Sequence, residues 1–268
     1  MKNNFPIGIF DSGLGGLTVF NQIKKRLPKE KFIYFGDTIH LPYGDKSPKT
    51  IIKYSKEISK FLFNKKIKLL VVGCNTASAV ALKEISKLSD IPIIDVIKPC
   101  VERAVLETNN KLIGIIGTET TISSQAYQKQ INKKEKNITV YTKACPLFVP
   151  IIEEGLLTHP ILEETIKLYL SQLKKTKLDT LILGCTHYPI IKSIIKKEIG
   201  PQINIIDSSI VTAEYIQSYL KENKLLSTSK IKSEDDFYIT DISKKFIKIS
   251  EMFLNMQLVN IQHINIAK

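Results

Sequence analysis

The sequence predicts an α/β fold: two similar doubly wound parallel-sheet lobes related by a pseudo-twofold, with the active site in the cleft between them. Two observations carry this reading. Short Ile- and Val-rich runs alternate with longer lysine-bearing stretches whose apolar residues recur three and four positions apart, the pattern of parallel strands joined by crossover helices. Three landmarks also recur in the same order, 106 to 112 residues later. Ile7-Gly8-Ile9-Phe10 returns as Ile113-Gly114-Ile115-Ile116, Leu70-Val71-Val72-Gly73-Cys74 as Leu181-Ile182-Leu183-Gly184-Cys185, and Ile93-Ile94-Asp95 as Ile205-Ile206-Asp207. An ordered repeat of this kind marks duplicated units.

Taken along the chain, strands are expected at Ile7–Phe10, Phe32–Phe35, Leu69–Val72 and Ile91–Ile94, then at Leu112–Ile116, Thr139–Tyr141, Thr180–Leu183 and Ile203–Ile206. Helical spacing covers Lys49–Asn64, Ala77–Leu88, Ile161–Leu173 and Thr212–Glu222. The expected division is a first lobe at 1–97, a second at 98–207, and a C-terminal segment at 208–268 that returns to the first lobe. No Pro/Gly/Ser-rich linker separates the lobes, so close packing around a cleft is expected rather than a tether. In the last segment a polar loop, Ser227–Asp236, leads into a strand at Phe237–Ile239 and an amphipathic helix at Ile242–Leu254.

Composition narrows the function classes. The chain has 268 residues, 43% hydrophobic and 24% charged, ordinary values for a globular protein. No apolar run reaches the roughly 18–20 residues a spanning helix needs, and Met1-Lys2-Asn3-Asn4 leads directly into the first strand, so a cytoplasmic protein without membrane contact is expected. The net charge of +13 invites a polyanion partner. Yet of 39 basic residues only Arg26 and Arg103 are arginines, and the lysines are spread without aromatic interleaving. That distribution fits solvated faces rather than a specific nucleic-acid site. Four cysteines without a Cys-x-x-Cys or His-x-x-x-His pair make neither a disulfide framework nor a zinc site; no metal is expected.

The chemistry lies in the repeated thiols. Cys74 and Cys185 each follow a strand and a glycine and precede a small polar turn, Asn75-Thr76-Ala77 and Thr186-His187-Tyr188-Pro189. Ligand sites of open α/β sheets lie at the carboxyl ends of strands, and a helix N-terminus there favours thiolate. His187 adds a proton-handling group in the same turn. Two lobes facing each other would bring the thiols to opposite sides of one substrate. Removing a proton from one face of a carbon and returning one to the other inverts its configuration, a task for two matched acid/base groups. Cys100 and Cys145 lack this context and read as small buried hydrophobes.

The turn Asp11-Ser12-Gly13-Leu14-Gly15-Gly16 matches neither a dinucleotide nor a Walker loop; its glycines suggest a tight turn with backbone amides open to an anion. Asp11 would either orient a base or cap the next helix. The stretch from Gly36-Asp37 to Pro42-Tyr43-Gly44 reads as a binding loop. Neither arginine falls in these motifs, so an anionic group bound here is expected on hydroxyls and helix N-terminal amides rather than on guanidinium clamps.

Together, Asp11-Ser12-Gly13-x-Gly15-Gly16, Gly36-Asp37 with Pro42-Tyr43-Gly44, Gly73-Cys74-Asn75-Thr76-Ala77 and Gly184-Cys185-Thr186-His187-Tyr188-Pro189 resemble the glutamate racemases of the aspartate/glutamate racemase superfamily. The resemblance implies cofactor-independent interconversion of L- and D-glutamate, supply of D-glutamate for bacterial peptidoglycan, and a homodimer. It implies Cys74 and Cys185 as proton donors and acceptors, Asp11 supporting Cys74 and His187 supporting Cys185, both also facing substrate. Ser12, Asn75, Thr76 and Thr186 match positions that hold the ammonium and carboxylate groups, Tyr43 and Gly44 the binding loop, and Thr118 and Thr121 further hydroxyl contacts. The functional carboxylate falls on Glu153, with Glu154 adjacent. Rival readings are an aspartate-specific relative, a polyanion-binding protein on this fold, and a thiol redox protein. A lysine Schiff base is open on composition, but the repeated thiols offer a simpler route.

Overall fold

A computed structural model describes residues 2–229, 234–254 and 257–266. Its first sheet is entirely parallel, in the order β10-β9-β2-β1-β3-β4, and its second, also parallel, runs β6-β5-β7-β8. The strands are β1 (Ile7–Asp11), β2 (Phe32–Gly36), β3 (Leu69–Val72), β4 (Ile93–Asp95), β5 (Leu112–Gly117), β6 (Thr139–Ala144), β7 (Thr180–Gly184), β8 (Asn204–Asp207), β9 (Asp236–Ile239) and β10 (Ile261–His263). The order β2-β1-β3-β4 in one sheet matches β6-β5-β7-β8 in the other, which is the repeat expressed as topology. β1, β2, β3 and β7 are buried along their whole length, because helices cover both faces of a parallel sheet, and such strands read as unbroken apolar runs rather than alternation.

The helices are α1 (Gly16–Arg26), α2 (Pro48–Asn64), α3 (Asn75–Ile85), α4 (Ile97–Glu107), α5 (Glu119–Ser123), α6 (Ala126–Lys134), α7 (Phe148–Glu153), α8 (Pro160–Leu170), α9 (Lys192–Ile199), α10 (Ser208–Glu222) and α11 (Lys244–Leu254). Several begin where a capping side chain satisfies first-turn amides. Ser47 accepts from Thr50 N ahead of Pro48, Cys74 Sγ accepts from Ala77 N, Thr118 accepts from Thr121 N, and Asp207 accepts from Ser209 N. Capping moves two starts upstream of the apolar periodicity, α3 to Asn75 and α10 to Ser208. The stretch expected to be helical through Leu173 ends at Leu170 and continues as a 3₁₀ turn, Leu173–Thr176. Residues 230–233 of the expected Ser227–Asp236 loop lie outside the described residues.

After the second sheet the chain returns. β9 pairs with β2 in the register Tyr34↔Phe237, and β10 extends the edge. Phe20 packs edge-on against Phe32, Tyr34 and Phe237, sealing β9 and β2 under α1. α10 lies along α1 and α4. Both arginines converge there on one carboxylate: Arg26 of α1 and Arg103 of α4 each donate to Glu214 of α10 at 2.6 Å. Close by, past the end of α1, the Lys68–Glu30 pair is buried, and Lys68 also donates to the carbonyls of Asn3 and Leu225. A buried ion pair persists only when its hydrogen bonds are completed in this way. Among the described residues no helix is long and apolar enough to cross a membrane.

Candidate active site

The carboxyl ends of β1, β3, β5 and β7 converge on a cavity of about 220 Å³ between the sheets. Cys74 and Cys185 both line it, each only 5% exposed. Ser12, Tyr43, Gly44, Asn75, Thr76, Thr118, Glu153, Thr186 and His187 join them in the wall. Asp11 and Thr121 stand one layer behind.

On the first-lobe side Cys74 Sγ donates to Ser12 Oγ at 3.5 Å and accepts from Ala77 N at 3.5 Å. Burial, and then the negative charge of Asp11, push this thiol up to about 12 despite those two bonds. Asp11 is fully buried beneath it, and burial raises its own pKa although the charge of His187 opposes the shift. Its Oδ2 accepts from Gly13 N at 2.8 Å, and α1 has no side-chain cap. The carboxylate thus holds the glycine turn, the Gly16 amide at the start of α1 also acts on it, and its charge acts on the Cys74 thiol, so both readings of Asp11 keep support. That turn directs its Gly13 amide inward to Asp11, against the expectation of an amide open to an anion.

The second-lobe side is built differently. Cys185 Sγ lies 3.9 Å from His187 Nδ1, and His187 Nε2 lies 2.9 Å from Glu153 Oε1. Burial alone would lower the imidazole pKa, but the bonds to Cys185 and Glu153 and their charges outweigh it and raise it to about 10. Glu153 is the last residue of α7. Its neighbour Glu154 turns away to pair with Lys245 of α11 at the cavity mouth.

Contacts between the lobes set the width of the cavity. Thr18 Oγ1 of α1 donates to Thr186 O at 2.8 Å. A Cβ on Gly15 would stand 2.4 Å from Thr186 Oγ1 and 2.5 Å from His187 Nδ1, so only glycine lets the first-lobe turn approach the second thiol's loop. Thr76, Thr118 and Thr121 form a triangle of hydroxyls, with oxygens 2.9 Å apart for Thr76–Thr118 and Thr118–Thr121 and 3.3 Å for Thr76–Thr121. Thr120 Oγ1 donates to Gly44 O at 2.7 Å, tying the second lobe to the loop carrying Tyr43. Tyr43 itself donates to Asp37 Oδ2 at 2.6 Å. Asp37 also accepts from Thr240 at 3.1 Å and contacts His40 Nδ1 at 2.9 Å, so the strand returned by the C-terminal segment braces the binding loop.

Sequence reasoning did not single out Asp45 or Lys245, nor Leu41 within the loop read as binding, nor Pro146, Val149 and Pro150 ahead of Glu153, and all of these line the cavity. Lys245 is one lysine among many. Cys100 and Cys145 are fully buried in the packed core. Among the described residues no three His, Cys, Asp or Glu side chains form a metal-holding group.

Residues 8–216 match the family model described as Asp/Glu/Hydantoin racemase. A glutamate racemase of Persephonella marina is 47% identical over 98% of each chain, and one of Geobacter metallireducens is 44% identical over 97% of this chain and 96% of its own. The crystal structure of glutamate racemase from Francisella tularensis subsp. tularensis in complex with D-glutamate superposes with a TM-score of 0.94 at 43% identity, covering 99% of both chains. An aspartate racemase homologue of Pyrococcus horikoshii, at 17% identity and a TM-score of 0.60, shares the fold. A cavity walled by one thiol from each of two repeated lobes, a glycine-rich turn beneath it and similarity along nearly the whole chain agree, and the chain belongs to the Asp/Glu/Hydantoin racemase family of isomerases, among its glutamate racemases.

Proposed function

We propose that this chain interconverts L- and D-glutamate in the inter-lobe cavity by two-thiol acid/base catalysis, with no cofactor, in the cytoplasm and as a homodimer, supplying D-glutamate for peptidoglycan. The observation that carries the reading is that Cys74 and Cys185, at equivalent positions of the two repeats, both open into one cavity of about 220 Å³. The similar structure that holds D-glutamate supports the choice of substrate.

In the proposed reaction one cysteine, as thiolate, takes the α-proton. The electron pair left on the carbon spreads into the adjacent carboxylate, and the other cysteine, as thiol, delivers its proton to the opposite face. One sulfur ends protonated and the other deprotonated, ready for the reverse direction. His187 Nδ1 stands 3.9 Å from Cys185 Sγ, within reach of that sulfur's proton. Burial and Asp11 keep Cys74 as the thiol. Thr76, Thr118 and Thr186 and the Ser12 hydroxyl offer hydrogen bonds to the amino acid's charged ends, and Tyr43-Gly44 close over it.

The test is α-proton exchange. Purified protein without added cofactor, given either enantiomer of glutamate in D2O, is expected to place deuterium at the α-carbon of the inverted product. Exchange on aspartate alone would move the assignment to the aspartate-specific relatives, and silence with both would overturn it. Complementation of a D-glutamate auxotroph checks the peptidoglycan role, and light scattering checks the dimer.

A further inference from the structure

Asn75 is the first residue of α3, beside Cys74, and it lines the cavity. The two ends of its side-chain amide are treated differently. Its Oδ1 accepts a 2.6 Å hydrogen bond from the hydroxyl of Tyr127, which stands on α6 of the other lobe. Its Nδ2 is buried without a partner. Tyr127 is 1% exposed, and a phenolic hydrogen in so dry a place must find an acceptor. It finds Asn75 Oδ1. With the amide turned the other way, the Tyr127 hydroxyl would meet an NH2 donor and keep only the Cys100 sulfur, a weaker acceptor, within reach.

We propose that Tyr127 is a positioning residue: by donating across the lobe boundary to Asn75 Oδ1, it turns Asn75 Nδ2 into the cavity, where that nitrogen donates to a carboxylate oxygen of the bound amino acid. The inference rests on reading the cavity as the glutamate site. It explains why a donor is left unsatisfied in a buried position, since a hydrogen bond to a charged acceptor completes it on binding. It also makes recognition depend on the lobes' mutual placement, because donor and amide come from different sheets.

The experiment compares wild type, Tyr127→Phe, Asn75→Ala, the double variant and Asn75→Asp in steady-state racemisation of both enantiomers and in calorimetric titration with D-glutamate. Tyr127→Phe keeps the ring in the core, and its KM and Kd are expected to rise about tenfold with kcat within about twofold, the loss of one hydrogen bond to the bound state. Asn75→Ala should do the same, and adding Tyr127→Phe to it should change KM no further, because the tyrosine acts only through the amide. Asn75→Asp keeps an acceptor for Tyr127 but presents an anion to the substrate, and should raise KM more than either. A Tyr127→Phe protein with a lowered Tm but unchanged KM would overturn the inference and leave Tyr127 a core residue, as would additive losses in the double variant. Should Tyr127→Phe fail to fold, unchanged KM in Asn75→Asp overturns it instead. Wild type that neither turns over nor binds glutamate would overturn the reading of the site itself, a separate outcome.

Discussion

The two thiols occupy equivalent places in two lobes of the same strand order, yet they have different neighbours. Around Cys74 stand a hydroxyl, a helix amide and the buried Asp11; burial and then the Asp11 charge push the thiol up to about 12 against the two hydrogen bonds. Around Cys185 stand an imidazole and, behind it, a carboxylate, and the imidazole is raised to about 10. Duplication supplied the backbone geometry, and side chains, most of them from other turns, then made the two surroundings differ: Ser12 and Asp11 of the first turn beside Cys74, His187 and Glu153 beside Cys185. A racemase needs an acid and a base at every turnover, so the pseudo-twofold of the backbone need not extend to the charges.

The comparison can be broken at the sulfurs first. Cys74→Ala or Cys185→Ala is expected to lower racemisation of both enantiomers by about 10²- to 10⁴-fold or more, measured by circular dichroism; full turnover in either would end the two-thiol account. Next in size is Glu153→Gln. Without that carboxylate the His187 pKa falls, so the alkaline limb of kcat/KM should move to lower pH with a loss of about tenfold at pH 8. Glu154→Gln, whose partner is Lys245, should leave the limb where it is. If both variants moved it equally, the geometric distinction between the two glutamates would have no chemical meaning.

Asp11→Asn sharpens the other half. Removing the negative neighbour should lower the Cys74 pKa from about 12, so alkylation of Cys74 by iodoacetamide, followed by mass spectrometry, should begin at lower pH than in wild type. Unchanged alkylation would mean that burial alone sets the thiol. The smallest effect is on stability. The folded pKa of His187, about 10, exceeds its ordinary value of 6.5, so its contribution is fully present below pH 6.5 and is lost as pH rises through 10. The Tm difference between wild type and His187→Asn should therefore shrink across that interval; growth of the difference with pH would reverse the sign assigned to this site.

Much of this architecture was legible because it is written in short-range patterns. Parallel strands covered on both faces leave unbroken apolar runs, and β1, β3 and β7 fall within a residue of the runs at Ile7, Leu69 and Thr180. Less legible was β10, a three-residue edge strand with two exposed side chains, which carries almost no apolar signal. Helix starts at Asn75 and Ser208 were hidden because caps, not periodicity, set them. Glu153 and Glu154 could not be told apart by position, since adjacent residues at the end of α7 point in different directions.

By itself, the sequence determined the alternation of elements, their duplication and the chemistry of the Gly-Cys turns, because strand and helix periods and turn residues are local properties. The tertiary structure alone decided which groups meet. Gly15 against His187, Thr76 against Thr118, Tyr127 against Asn75 and Lys245 against Glu154 join residues from 42 to 172 positions apart. Such pairs follow from how two sheets dock and where the returning chain inserts, a matter of packing complementarity that no local period encodes.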